Sequence, residues 1–352
     1  MNTQVTHTNR VAQAIDRIID AGDFTRIFII ADTNTAKLVV PQLDSKSCTG
    51  AQLITIPAGE KNKSLETLSK IWTQFSDSGA TRNCLVINVG GGVVTDIGGM
   101  AAATFKRGMP FINCPTSLLA AVDAALGGKT GINFNGLKNE VGTFTDPLHT
   151  IISTRFLSTL PPHEIKAGYA EMLKHAMLHN NETFHRLLRN DFKQSFDTDE
   201  FLNEVKTSSA IKLQFVHIDP NDMGPRHALN YGNTFAHAFE SLAMMRHKPI
   251  SHGYAVAWGL VAETFLSHHI CGFPAVDLYA LAHFVLANYG AFKITCDNYE
   301  TLIELMTHDK KSRHGEINCV LLSECGKPIY DQRISKDCAM AALDVYRDLM
   351  NI

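Results

Sequence analysis

The sequence has no C-x-x-C pair. Its eight cysteines, at 48, 84, 114, 271, 296, 319, 325 and 338, are scattered, and a chain of 352 residues needs no disulfide staples, which points to a reducing compartment. No stretch approaches the ~18 continuous apolar residues of a spanning helix, and the polar opening from Met1 to His7 has no apolar h-region behind it. A cytoplasmic protein with no membrane partner is expected. No charge dominates either: 32 Lys and Arg against 35 Asp and Glu leave a net charge of -3, and the basic residues are not massed. That excludes the electrostatic footprint of nucleic-acid binding, and any anionic partner should be small. Internal repeats and low-complexity tracts are also missing. What is present, 45% hydrophobic and 19% charged residues, describes a globular protein, and the length is ample for two cores.

The first half alternates short apolar runs with helical periodicity. Arg26–Asp32, Gln52–Pro57 and Cys84–Val89 read as strands, with a helix from Leu65 to Phe75 between the last two. Phe111–Pro115 and Thr150–Ser153 extend the series. Such alternation predicts a parallel sheet covered on both faces. Pro161-Pro162 then punctuate the chain, giving an expected boundary between domains 1–161 and 162–352. Beyond it Ile165–Leu178, Phe201–Val216 and Tyr254–His268 read as helices. A late hairpin at Ile317–Leu322, with a turn at Gly326, precedes a closing helix from Lys336 to Leu349.

The pattern G-x-G-x-x-G is absent, yet Gly90, Gly91 and Gly92 stand between a strand and a small-residue segment suited to a helix packed closely on the sheet. Glycines there let backbone N–H groups approach a pyrophosphate at the positive helix end. The plain alternative is a tight turn with no ligand. Asp32 and Asn34 could bind ribose hydroxyls or merely cap a helix. Arg107, Asp123, Lys129, Lys138 and Asn139 fall in or near a stretch with Gly127, Gly128 and Gly131, where loops are expected. Cations on such loops suit phosphate or carboxylate, although single lysines usually mark only a solvated surface.

In the second half, Glu171 and Lys174 share a helix face and make either a surface ion pair or a buried one. Asn233, His237 and Glu240 follow at i, i+4 and i+7, and Ser251-His-Gly-Tyr254 adds His252 at a helix start. Imidazole is the commonest metal-ligating side chain. With 16 histidines in the chain, spacing does not choose among them.

Together these stretches resemble the 3-dehydroquinate synthase family from about Asp32 to Lys311. The matching segments are Gly90–Asp96, Pro115-Thr-Ser-Leu-Leu119, Val122–Lys129, Lys138-Asn139, Ala167–Lys174 and Leu229-Asn-Tyr-Gly232. The resemblance implies an α/β N-terminal Rossmann-like domain plus a mainly α-helical C-terminal domain, bound NAD, a divalent metal (zinc or cobalt) and a homodimer. It also implies a small phosphorylated sugar acid as substrate, 3-deoxy-D-arabino-heptulosonate 7-phosphate, cyclised to 3-dehydroquinate with loss of phosphate. In such enzymes a ring alcohol is transiently oxidised and the ketone is reduced again, so NAD ends unchanged.

By the same resemblance, NAD contacts fall on Asp32, Asn34, Glu60, Lys63, Gly91, Gly92, Val93, Asp96, Thr116, Ser117, Lys129, Lys138, Thr159 and Leu160. Substrate contacts fall on Arg107, Asp123, Lys129, Lys138, Asn139, Lys174, Lys212, Arg226, Asn230, His237 and one or both of Lys310 and Lys311. Metal ligands match Glu171 and His252, and Asn233 stands where the family reads His. A neutral amide oxygen is a weaker donor for zinc than imidazole and suits oxygen-preferring ions better. Tyr254, where many relatives have Glu, changes the neighbourhood of His252. Two other readings stay open: an impaired paralogue that still binds NAD, motivated by Asn233, and a metal-dependent polyol dehydrogenase of related fold.

Overall fold

The computed structural model describes residues 3–307 and 316–352. Two compact units divide the chain, one of Met1–Ile165 with Gln194–Leu213 and one of Lys166–Lys193 with Gln214–Ile352. In the first, strands and helices alternate as β1 (Gln4–His7), α1 (Val11–Asp20), β2 (Ile27–Asp32), α2 (Thr35–Leu38), β3 (Gln52–Ile56), α3 (Leu65–Asp77), β4 (Leu85–Gly90), α4 (Gly92–Thr104) and β5 (Phe111–Pro115). An antiparallel pair, β6 (Lys129–Phe134) and β7 (Leu137–Phe144), precedes β8 (His149–Ile152).

Six strands form one parallel sheet in the order β1-β8-β5-β4-β2-β3. The inner strands β2, β4 and β5 read as continuous apolar runs because both faces are covered, whereas edge strands β1 and β3 carry exposed polar positions. Phe28, Ile30 and Val86 pack with Leu68, Ile71 and Phe75 of α3 and with Val94 and Ile97 of α4. Ile29, Leu85, Ile87 and Val89 turn the other way, onto Val11 and Ile15 of α1. Helix α4 lies so close to the sheet that a Cβ on Gly98 would sit 2.0 Å from Asn88 Oδ1. After β3 the chain returns to add β4 on the opposite side of β2, so the strand order reverses between β2 and β4. Ligands in open α/β sheets bind outside the carboxyl ends of strands at such a switch point, here marked by Asp32 and Gly90.

One expectation needs correction. The glycine-rich stretch from Lys129 to Asn139, expected as loops, is part of a hairpin in which Phe134 faces Leu137 across Asn135-Gly136. Both turn residues have positive φ, +49° and +78°, the geometry that Asn-Gly adopts in a two-residue hairpin turn whose twist matches the strands. Near the start of the chain, Gln4–His7 supplies β1, an edge strand paired with β8.

Three further helices follow: α5 (Pro162–His179), α6 (Asn181–Leu187) and α7 (Asp199–Ile218). The first-unit part of α7 brings Ser209 Oγ to 2.8 Å from His7 Nε2. Burial, and then the charge of Lys206, push His7 down to about 4 from 6.5. The unfolded chain therefore takes up a proton between those values and the native one does not, so stability falls as pH drops through that window. Urea midpoints are expected to decline from about pH 7 to pH 4 and to decline less in His7→Gln; equal slopes would remove His7 as a cause.

The second unit is mainly helical, with α8 (Asn233–Met245), α9 (His252–Cys271), α10 (Ala275–Tyr289), α11 (Tyr299–Thr307) and α12 (Lys336–Leu349) around the antiparallel pair β9 (Ile317–Leu322) and β10 (Pro328–Ile334). Two glycines of α9 set its packing. A Cβ on Gly253 would fall 1.9 Å from the Ala167 carbonyl oxygen of α5, and one on Gly259 would fall 2.1 Å from the Gly232 carbonyl oxygen before α8. The bare glycines let α5 and the start of α8 approach the backbone of α9. Glu171, Asn233 and His252 converge for that reason.

Candidate functional site

In the first unit, Gly91 caps α4 and Gly92 opens it, so the helix's positive end lies at the switch point. Val93 is in the same first turn. A Cβ on Gly91 would meet Ser117 Oγ at 3.2 Å, and Thr116 N donates to Gly90 O at 3.0 Å, which holds the loop after β5 against the glycine turn. Asp32 Oδ1 accepts N–H bonds from Asn34 (2.8 Å) and Thr35 (3.0 Å). The capping alternative is thus realised at α2, while Asp32 Oδ2 has no protein partner among the described residues.

Lys63, 4% exposed, donates to Asp96 Oδ2 at 2.5 Å and to Asn139 Oδ1, tying the loop after β3 to α4 and the hairpin. Asn133 Nδ2 donates to Glu60 Oε1 (2.8 Å), and Asn133 Oδ1 accepts from Asn139 N (2.9 Å). Burial raises Asp96 to about 6, against the pull of Lys63. Lys212, 6% exposed, donates to both the carboxylate and the backbone oxygen of Asp123 at 2.5 Å, on a wide π-type turn at Ala120–Ala124. Lys129 and Lys138 stand exposed on the hairpin.

Not every expected residue joins these groups. Arg107 ends the turn after α4, and thirteen helical residues carry it roughly 20 Å from Gly92. The Thr159 hydroxyl donates to Phe156 O, and Leu160 follows it. No hydrogen bond or ion pair joins these three to the clusters among the described residues. Lys310 and Lys311 lie outside the described residues.

The second unit holds a denser constellation. Lys174, 1% exposed, donates to Glu171 Oε1 at 3.1 Å and to Asn233 Oδ1 at 2.7 Å. The pair that spacing left undecided is buried. His252 Nε2 lies 3.6 Å from Glu171 Oε1 and its Nδ1 lies 3.1 Å from Glu240 Oε2. The His237 ring stacks beside His252 with centroids 6.0 Å apart. Burial alone would raise the Glu171 pKa, but Lys174 and His252 hold it well below the carboxylate range. His252 moves the other way, up to about 9, because both carboxylates outweigh its burial.

Asp219 Oδ1 accepts an N–H bond from Met223, and Oδ2 accepts from Gly224 and Arg226; Arg226 Nη1 donates to Pro220 O, and Asn230 Nδ2 to His227 O. Tyr254 packs edge-on against Trp258 and Tyr289, an aromatic neighbourhood beside His252. One residue was not singled out from sequence. Glu263 is fully buried and accepts from the backbone N–H groups of Gly232 (2.7 Å), Thr234 (2.9 Å) and Phe235 (3.3 Å), so it fixes the turn that presents Asn233. The available signal was an acidic residue inside an otherwise apolar stretch of α9.

Two family models match in tandem: 3-dehydroquinate synthase N-terminal over residues 53–167 and 3-dehydroquinate synthase C-terminal over residues 168–312. The chain is 45% identical to the 3-dehydroquinate synthase of Parabacteroides distasonis, over 94% of this chain and 93% of that one. It is 40% identical to that of Pyrococcus furiosus, over 78% and 79%. Among solved structures, 2-epi-5-epi-valiolone synthase from Streptomyces hygroscopicus, with NAD+ and Zn2+ bound, shares the fold with a TM-score of 0.86 at 24% identity, covering 99% of this chain and 97% of that one. An iron-containing alcohol dehydrogenase from Thermotoga maritima shares it more distantly, with a TM-score of 0.68 at 14% identity and coverage of 100% and 99%. The chain belongs to the 3-dehydroquinate synthase family.

Proposed function

We propose that this chain is an NAD- and divalent-metal-dependent cyclase that converts 3-deoxy-D-arabino-heptulosonate 7-phosphate to 3-dehydroquinate and phosphate, in the route to aromatic amino acids. The observation that carries the reading is the meeting of buried Glu171 and Lys174 with half-buried Asn233 and His252, from three helices, in a chain of this family. We further take the working form to be a cytoplasmic homodimer; no helix among the described residues is long and apolar enough to cross a membrane.

The residues fit both cofactors. Two donors about 2.1 Å from one tetrahedral ion stand about 3.4 Å apart, close to the 3.6 Å between Glu171 Oε1 and His252 Nε2. Asn233 offers a third, neutral oxygen. For NAD, the glycine turn supplies N–H groups at a helix N-terminus, and Asp32 supplies a carboxylate oxygen at the end of β2. NAD held there would supply reversible hydride transfer, and a divalent ion held by Glu171 and His252 would supply Lewis acidity. Lys174 places its side-chain nitrogen against Glu171 and Asn233 in a water-poor setting. The cations Lys129, Lys138, Lys212 and Arg226 are the groups that would offset phosphate and carboxylate charge. His237, exposed on α8, moves a proton at its imidazole.

The rival reading, an impaired paralogue, turns on Asn233 alone, whose amide oxygen is already held by Lys174. Turnover measured separately with zinc, cobalt and manganese decides between them. Activity with at least one ion is expected, strongest with an oxygen-preferring one; none with any ion would leave the impaired reading. Asn233→His is expected to tighten zinc by at least the roughly 10–100-fold typical of changes around a metal site. Equilibrium dialysis against a chelator measures that shift.

A further inference from the structure

We infer that Glu240 is a positioning residue that holds His252 with Nδ1–H turned inward and Nε2 presented to the cation, an inference that rests on the metal reading above. His252 lies between two carboxylates. At 3.1 Å, Nδ1 and Glu240 Oε2 are at hydrogen-bond distance, and a carboxylate only accepts, so the proton sits on Nδ1. In the neutral imidazole that ligates an ion, the lone pair is then on Nε2, the nitrogen that faces Glu171 Oε1 at 3.6 Å.

Glu240 is 7% exposed and lies two turns along α8 from Asn233, so one rigid helix carries both the weak donor and the group that orients the strong one. A carboxylate behind an imidazole fixes its tautomer and ring angle and increases its donor strength. That support matters most in this chain. Asn233 brings a neutral oxygen that Lys174 also engages, so affinity rests mainly on Glu171 and His252. The rival assignment makes Glu240 itself a ligand, because donor atoms of His237, Glu240 and His252 all lie within 4.8 Å of one another.

The test compares the full-length parent with Glu240→Gln and Glu240→Leu for Co2+ affinity by chelator competition, with the Co2+ visible spectrum recorded at saturation. Glu240→Leu is expected to bind about 10–100-fold more weakly, with Glu240→Gln, which keeps an acceptor, in between, and with the saturated spectrum unchanged. Should Glu240→Leu not fold, Glu240→Gln still has to show the weaker binding. Parent-like affinity in Glu240→Gln and Glu240→Leu overturns the inference and leaves the metal reading intact. A changed Co2+ spectrum overturns it by marking Glu240 as a ligand. No Co2+ binding by the parent removes the metal reading and this inference with it.

Discussion

Glu171→Gln is expected to abolish divalent-ion binding and turnover and to lower the unfolding free energy by about 3 kcal/mol, the cost of stripping one partner from a buried pair. Lys174 is 1% exposed and its partners are Glu171 Oε1 and Asn233 Oδ1. Without the carboxylate its ammonium stays desolvated beside a neutral amide. Lys174→Met should show a smaller loss than Glu171→Gln, because His252 remains near Glu171 to offset the unpaired charge. The double variant Glu171→Gln/Lys174→Met removes both charges at similar volume, and it should recover most of the stability without recovering any activity. Denaturant unfolding of the three variants, beside ion titrations, separates the structural role of the pair from its chemical one. A double variant as unstable as Glu171→Gln would show that the charge pair is not what the fold depends on.

Gly253→Ala should cost about 1–3 kcal/mol of stability and most of the ion affinity, although residue 253 contacts no ligand. The added Cβ would stand 1.9 Å from the Ala167 carbonyl oxygen, and a backbone atom cannot rotate away as a side chain can. Helix α9 must therefore move off α5. His252 precedes Gly253 and Glu171 follows Ala167 by one turn, so the same displacement separates the two donors now 3.6 Å apart. Loss of ion affinity with parent-like thermal stability would mean that the helices yield more easily than this packing implies. Parent-like affinity would show that the close approach does not set the site.

Much of this arrangement is readable locally. The runs that became β2, β3, β4, β5 and β8 are bounded within a residue or two of their expected limits, and for β2, β4 and β5 this is because strands buried on both faces are apolar nearly without interruption. The glycine turn falls where the strand order reverses, and Glu171 and Lys174 share a helix face as their spacing requires. The β6–β7 hairpin was hidden behind a glycine-rich composition, although Asn135-Gly136 carried a turn signal inside it. Other features depend on contacts that no local pattern reports. Lys212 pairs with Asp123, 89 residues away in sequence, and Glu263 caps a helix whose first residue lies thirty positions before it. The exchange at Asn233 stands out only against the family pattern. Its engagement by Lys174 is visible only in three dimensions.

Phosphate and reduced NAD followed together in one reaction, with purified protein, NAD, a divalent ion and 3-deoxy-D-arabino-heptulosonate 7-phosphate, probe the central claim most directly. Steady phosphate release with no lasting accumulation of NADH is expected, since the hydride returns within each turnover. NADH rising in step with substrate consumption, or no phosphate with zinc, cobalt or manganese, would contradict it.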